Sequence, residues 1–365
     1  MDNKSILLGL HELKGIGWET IEKLIIKTQN LVELLEWGDM EWREAGIRRD
    51  RVESIRRGLT QERLASRLEW YRKENIHVLT LYDEAYPYRL RHSSRPPWVL
   101  YAKGNLKLLE NYHSLAIVGS RTPTAYGRRA ATELAYHLSE AGLSIVSGLA
   151  RGIDSAAHLG ALEGKAKTIA ILGTSIDRVY PPENLKLFKR IEEEGVVLSE
   201  YFPGIIHHPG LFPLRNRVIA GISLGTLVVE AAQNSGSLIT ADMALDESRD
   251  LFAVPGPIFS PKSRGTNELL QTRAKMVVCA NDVLEEYKGF FNIKNVLHPA
   301  DSPKPEPELT KEERRILGLI SFEPTTIDYL LEQSETNFGH LHTILLSLLM
   351  KKKIAQHAGS AYVLI

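Results

Sequence analysis

Four clusters in the middle of the chain combine small residues, serines and arginines in the way an anion site requires. They are Gly119-Ser120-Arg121, Ser147-Gly148-Leu149-Ala150-Arg151-Gly152, Arg215-Asn216-Arg217 and Ser235-Gly236-Ser237. Glycine and serine let an anion approach backbone N–H groups, and a guanidinium adds paired, charge-assisted hydrogen bonds. Several such clusters in one domain suit several phosphates better than one. Phe212, just ahead of Arg215, offers a flat face on which a base can stack, the way sequence-tolerant single-strand binders supplement an electrostatic groove. Its plain alternative is a loop residue folded into the core.

Other chemistries are less well supplied. Glu200 and Glu230 both follow apolar runs and are candidates to converge as a carboxylate pair, and Asp154 and His158 share a helix face at i, i+4. The plainer readings are the stronger: capping and dipole terms alone favour Asp154 near a helix start, and His158 anchors the following loop. Gly160-Ala161-Leu162-Glu163-Gly164-Lys165 is one residue short of a phosphate-binding Walker loop and is followed by Ala166, so no hydroxyl is placed for magnesium. Gly119-Ser120-Arg121 stands where a dinucleotide fingerprint would begin. Gly173-Thr174-Ser175-Ile176-Asp177 lacks the second glycine of a nucleophile elbow, and His207-His208 has neither the spacing nor the partners of a metal site. The expectation is a binding protein without catalytic residues, metal or cofactor.

The elements that must position the clusters are legible from periodicity. Leu115-Ala116-Ile117-Val118 and Leu143-Ser144-Ile145-Val146 are short apolar runs separated by a helix-period segment over residues 125 to 140, the pattern of a strand-helix-strand unit buried on both faces. The alternation continues through strands near 168–173, 196–200, 227–230, 251–254 and 276–278, with an irregular loop from 201 to 213 before Arg215. This predicts an α/β fold, a Rossmann-like, mostly parallel sheet over residues 73–290 with its core at 112–288. In such a sheet the carboxyl ends of the strands face the ligand and new helices start there with open N–H groups, so the clusters fall on one edge.

Residues 1–72 read as an all-helical domain in which Leu13-Lys14-Gly15-Ile16-Gly17 suggests a helix-hairpin-helix turn, with a plain tight turn as the alternative. The arginines at 48, 49, 51, 56 and 57 are diluted by Asp50 and Glu53 and read as a solvated helix face. Residues 291–308, spaced by prolines, form a linker. Beyond it, 309–365 reads as three helices and a hairpin turning at Gly359-Ser360, a winged helix. Its third helix carries Asn337, Phe338, His340 and His342 but no arginine, so a protein-contact or packing role is expected there.

Lys and Arg number 45 and Asp and Glu number 45 in 365 residues, so a polyanion would have to be held by a local patch. The lone Cys279 cannot form an internal disulfide, which suits a reducing cytosol. No stretch approaches the ~20 apolar residues of a membrane span, and Met1-Asp2-Asn3-Lys4 is no secretory start. A cytoplasmic location is expected.

The clusters, in order, resemble the DNA-processing protein A (DprA, also Smf) family. The residues that carry the resemblance are Gly119-Ser120-Arg121, the run from Ser147 to Asp154, Arg215-Asn216-Arg217-Val218-Ile219-Ala220-Gly221, Val228-Val229-Glu230-Ala231 with Ser235-Gly236-Ser237-Leu238-Ile239-Thr240-Ala241, and Val254-Pro255-Gly256. The resemblance implies a non-enzymatic homodimer that binds single-stranded DNA, protects it during natural transformation and loads RecA onto it. It implies backbone contacts from Ser120, Arg121 and the neighbourhood of Arg215 and Arg217, and base stacking by Phe212. It also implies a SAM-like or helix-hairpin-helix domain before the sheet and a winged helix after it. One departure stands out: the family often has a lysine three residues before the aromatic, and Pro209 occupies that place here. The alternative is a nucleotide-cleaving phosphoribohydrolase of similar fold, whose P-G-G-x-G-T-x-x-E motif Ser223-Leu224-Gly225-Thr226 does not meet.

Overall fold

The computed structural model describes residues 1–110, 113–206, 208–289, 309–334, 336–351, 353–357 and 360–364. Five helices open the chain: α1 (Asn3–His11), α2 (Trp18–Lys27), α3 (Asp39–Glu44), α4 (Arg49–Gly58) and α5 (Gln61–Lys73). Their apolar faces have no core of their own. Ile6, Leu10, Leu24 and Trp42 belong to the same buried cluster as Tyr101, Val197 and Phe188 of the sheet and its covering helix. The expected helix-hairpin-helix turn bends at Gly15, with φ of 83°.

The sheet begins with β1 (His77–Thr80), then α6 (Tyr88–Arg91) and β2 (Val99–Gly104), both strands antiparallel to their neighbours. The alternating part follows: β3 (Ser114–Val118), α7 (Ala125–Glu140), β4 (Ser144–Ser147), α8 (Ile153–Glu163), β5 (Thr168–Leu172), α9 (Leu185–Glu194), β6 (Val196–Ser199), α10 (Leu211–Ile222), β7 (Gly225–Val228), α11 (Gly236–Asp246), β8 (Asp250–Ala253), α12 (Arg264–Thr272), β9 (Lys275–Met276) and α13 (Ala280–Leu284). The nine strands lie in the order β1-β2-β6-β5-β4-β3-β7-β8-β9, parallel from β6 to β9. Every residue of β3 through β7 is buried, as two-sided cover by helices demands.

From β3 the chain winds outward through β4, β5 and β6, then returns to place β7 on the other side of β3. The order reverses between β3 and β7, and loops leaving the carboxyl ends of those two strands diverge to opposite faces and open a crevice. The return segment differs from the loop expected up to residue 213, because α10 already starts at Leu211. Pro213 is tolerated in its first turn, where an N–H would have no helical partner. Phe212 is therefore a helix residue with a fixed direction.

The C-terminal unit comprises α14 (Lys311–Leu319), β10 (Thr325–Thr326), α15 (Ile327–Ser334), α16 (Phe338–Met350), β11 (Ile354–His357) and β12 (Ala361–Leu364), with strand order β10-β12-β11. It has a separate core of Ile316, Leu330, Leu341, Leu345, Leu348 and Tyr362. A capping box of Thr310 and Glu313 starts α14, and buried Glu313 also accepts from Lys351 at 2.7 Å and Ser347 at 2.6 Å. These elements are those of a winged helix. The expected linker and Gly359 lie outside the described residues.

Candidate nucleic-acid interface

The crevice at the strand-order reversal is an open groove of about 670 Å³. Its floor is the loop after β3, with Gly119, Ser120 and Arg121. One wall is α10, with Phe212, Arg215 and Asn216, and the other is the start of α11, with Asn234, Ser235, Gly236 and Ser237. All four sequence clusters thus supply lining residues, the Ser147–Gly152 run through Ala150 alone, and they come from distant parts of the chain.

The β3 loop is held by main-chain bonds to its neighbours on both sides. Ser120 N donates to Glu230 O at 2.7 Å, and Ile153 N donates to Ser120 O at 3.1 Å. Gly152 is needed at the closest approach: its φ is 82°, and a Cβ there would meet Ser120 O at 2.3 Å. With the backbone tied down in this way, Arg121 is left as an exposed guanidinium on a rigid stem at the groove floor.

The helix starts are less open to anions than the sequence suggests. At α7 the buried Glu230 carboxylate accepts from Thr124 N at 2.9 Å and from the Thr124 hydroxyl, while Thr124 Oγ1 caps Gly127 N at 3.0 Å. Ahead of α8, Asp154 Oδ2 accepts from Gly148 N at 3.1 Å and Ala150 N at 3.4 Å. Both positive helix ends are already answered by a carboxylate of the protein. At α11 the cap is the uncharged Ser235, whose hydroxyl takes Ser237 N at 3.4 Å, and Gly236 has open space beside it. Of these three helix starts, α11 is the one whose dipole a phosphate can meet.

The Asp154 and His158 pair proves to be scaffolding. His158 is fully buried; its Nε2 accepts from Leu149 N at 3.3 Å, which puts the hydrogen on Nδ1 facing Thr168 Oγ1 at 2.7 Å, and Thr168 passes its own hydrogen to Ile145 O at 2.6 Å. Burial, reinforced by the Arg215 charge, pushes the imidazole down to about 3, so it is neutral. It anchors the loop before α8 rather than the one after. Burial raises the Asp154 carboxyl, against the pull of Arg215 and the two amides.

Several arginines do not go where the sequence placed them. Arg215 lines the groove yet is only 6% exposed, and its Nη1 donates to Gly148 O at 2.8 Å and to Ile171 O. Burial pushes it down to about 10. It ties α10 to the ends of β4 and β5 through Nη1, and its Nε donates to Asn216 Oδ1 at 3.3 Å. Arg217, two residues on and so about 200° around the helix, faces the N-terminal helices. Its Nη2 donates to both Glu200 carboxylate oxygens, at 2.5 and 2.6 Å, and its Nη1 donates to Arg95 O at 2.6 Å. Arg151 is exposed at the outer rim, ion-paired with Glu183, and the Ser147 hydroxyl is buried on Ile117 O at 2.6 Å.

Phe212 and Asn216 stay on the groove wall. The Phe212 ring lies over Gly173, where a Cβ would come within 2.5 Å of it, and packs at 5.2 Å against Tyr180, itself 45% exposed. Gly173 is a seat for the ring that the sequence reading passed over. It also missed Arg264, an exposed lining residue at the start of α12, beyond the loop after β8. The signal was available, since the strand-end rule applied to β3 and β4 applies equally to β8.

The two carboxylates offered for hydrolysis do not converge. Glu200 follows β6 and Glu230 follows β7, and β5, β4 and β3 lie between those strands, a separation of roughly 19 Å at ~4.8 Å per strand. Among the described residues no group of three or more His, Cys, Asp or Glu is placed to hold a metal ion, and no helix is long and apolar enough to cross a membrane.

Residues 77–288 match the family model described as DNA recombination-mediator protein A, and residues 300–360 match the DprA winged helix domain. The chain belongs to the DprA family. The Smf protein of Synechocystis is 32% identical over 97% of both chains. The X-ray structure of DprA from Streptococcus pneumoniae superposes with a TM-score of 0.69 at 35% identity, covering 78% of this chain and 99% of that one. DprA of Helicobacter pylori, whose structure was described for its single-stranded DNA binding mode, matches with a TM-score of 0.54 at 32% identity over 59% of this chain and 97% of that one. As a DprA-family chain, this protein carries Arg121, the Phe212 ring and the α11 start on one open groove at the β3–β7 reversal.

Proposed function

We propose that this protein binds single-stranded DNA non-enzymatically in the groove at the β3–β7 reversal, protects it and hands it to a RecA-type recombinase during natural transformation. The observation that carries the reading is the pairing of an exposed guanidinium on a fixed loop with a half-buried aromatic ring in the same groove. Arg121 takes a phosphate, the α11 start with Ser235, Gly236 and Ser237 takes another, Arg264 and Asn216 contact the backbone between them, and Phe212 stacks on a base. Gly119, Gly148 and Gly152 let the loops close up, and Arg215 positions α10. Family membership supports the reading, as does the single-stranded DNA bound by the Helicobacter pylori relative.

The protein acts as a homodimer in the cytoplasm. Supporting the dimer, among the described residues β9 pairs with β8 alone, and Met276 and Val278 are 56% and 66% exposed beside that open edge. An edge strand flanked by apolar side chains is a template for association with a second copy.

The test is competition between labelled single strands and duplexes of equal length, followed by RecA filament assembly on the single strand with and without the protein. Single-strand preference and faster assembly are expected. Tighter duplex binding, or hydrolysis of nucleoside monophosphates that Glu230→Gln abolishes, would overturn the proposal in favour of another use of the groove.

A further inference from the structure

A second cleft, of about 1250 Å³, lies between the sheet domain and the winged helix. One wall is the start of α7 with Pro123, Arg128 and Arg129, joined by Lys262. The other is α14, with Arg314 at mid-helix and Leu317 near its end, the following loop with Phe322, and the wing, with Lys353 and His357. The walls meet where the Phe322 ring takes Tyr126 edge-on at 5.8 Å and Arg129 over its face at 5.7 Å. Five lysines and arginines line the cleft against one carboxylate, Glu133, and that one is engaged by Arg129 at 2.8 Å. A chain with no overall charge has concentrated cations here, on two domains that face each other.

The cleft adjoins the groove. Lys262 Nζ donates to Thr122 O, the residue after Arg121, and Lys262 sits between Pro261 and Arg264 of the groove lining. A strand leaving the groove past Arg121 meets Lys262 and then the α7 wall. The winged helix presents its wing and α14 to this path. Its third helix does not line the cleft; α16 contains neither lysine nor arginine and leaves Phe338, Leu346 and Met350 exposed. A winged helix that read duplex DNA would do so with that helix.

From this geometry we infer that the cleft between α7 and the winged helix is a second phosphate-backbone site, which takes the continuation of the single strand held in the groove. The winged helix grips nucleic acid by its wing and α14. The inference rests on the groove reading for the direction of the strand, but its residues are separate from the groove.

The test uses the full chain with Arg128→Ala, Arg314→Ala and the double variant, two exposed side chains on opposite walls. Binding is measured against salt for an oligothymidylate of about 6 nucleotides, enough to fill the groove, and one of about 20, enough to continue into the cleft. Each lost phosphate contact flattens the salt slope by about 0.7 and weakens binding about 5-fold at 0.1 M salt, so the double variant loses about 25-fold on the long strand. Its affinity for the short strand stays at the wild-type value. The inference is overturned if the double variant binds the long strand like wild type, if it loses the short strand equally, or if it loses only duplex. A wild type that ignores the short strand counts against the groove reading alone, because the cleft is still read from the long strand.

Discussion

Arg215→Met separates a structural arginine from a DNA-binding one. The side chain is buried, and its Nη1 donates to the carbonyls of Gly148 and Ile171. Methionine fills much of the volume but leaves both carbonyls without a donor in a place water does not reach. An unsatisfied buried acceptor costs about 1–3 kcal/mol, so the pair is expected to cost about 2–6 kcal/mol. Asp154, which faces the same Gly148, loses its nearby cation and adds to the loss. The assay is urea unfolding without DNA, with the salt dependence of oligothymidylate binding measured on the folded variant. A lower urea midpoint and a wild-type salt slope are expected, because hydrogens spent on carbonyls neutralise no phosphate. Unchanged stability with a slope reduced by about 0.7 would refute the reasoning and make Arg215 a phosphate ligand.

Gly173→Ala places a Cβ against the Phe212 ring and should mimic Phe212→Ala in titrations of single-strand binding, a loss of up to about 1–3 kcal/mol with the salt slope unchanged; wild-type binding would mean the ring does not stack on a base. Met276→Lys with Val278→Lys should convert the dimer to monomer in sedimentation, and an unchanged mass would place the dimer contact elsewhere. His158 stays neutral in the folded state down to about 3, whereas the unfolded chain binds that proton near 6.5, so stability is full above about pH 7 and falls below about 6.5 by roughly 1.4 kcal/mol per pH unit. His158→Gln should therefore lose about 2 kcal/mol less than wild type between pH 7.5 and pH 5 in urea titrations; identical pH dependence would show that the histidine does not bear this load.

The sheet was legible because strands buried on both faces must be uniformly apolar, as Leu115-Ala116-Ile117-Val118 is, and because strand ends in such sheets share an edge. That rule sufficed to bring Arg121, Phe212 and Ser235 to one groove. It could not say which arginine points outward. Arg215 and Arg217 differ by two helix positions, and without the helix phase that begins at Leu211 one cannot know that the first turns inward to carbonyls and the second to Glu200. Asp154 was legible as a cap for α8 because its partners, Gly148 and Ala150, are local, but nothing in the sequence could reveal that Glu230 would occupy the positive end of α7, since that depends on packing between segments distant in sequence. Gly173 was passed over for the same reason: its role exists only once Phe212 lies across it.

The central claim is that Arg121 meets a phosphate of a single strand in this groove. The most direct measurement is oligothymidylate affinity as a function of salt for wild type and Arg121→Ala, with duplex of equal length as competitor. Expected are single-strand preference in wild type, weaker binding by at least about 5-fold at 0.1 M salt in the variant, and a slope flatter by about 0.7. Wild-type affinity and slope in Arg121→Ala would contradict the claim.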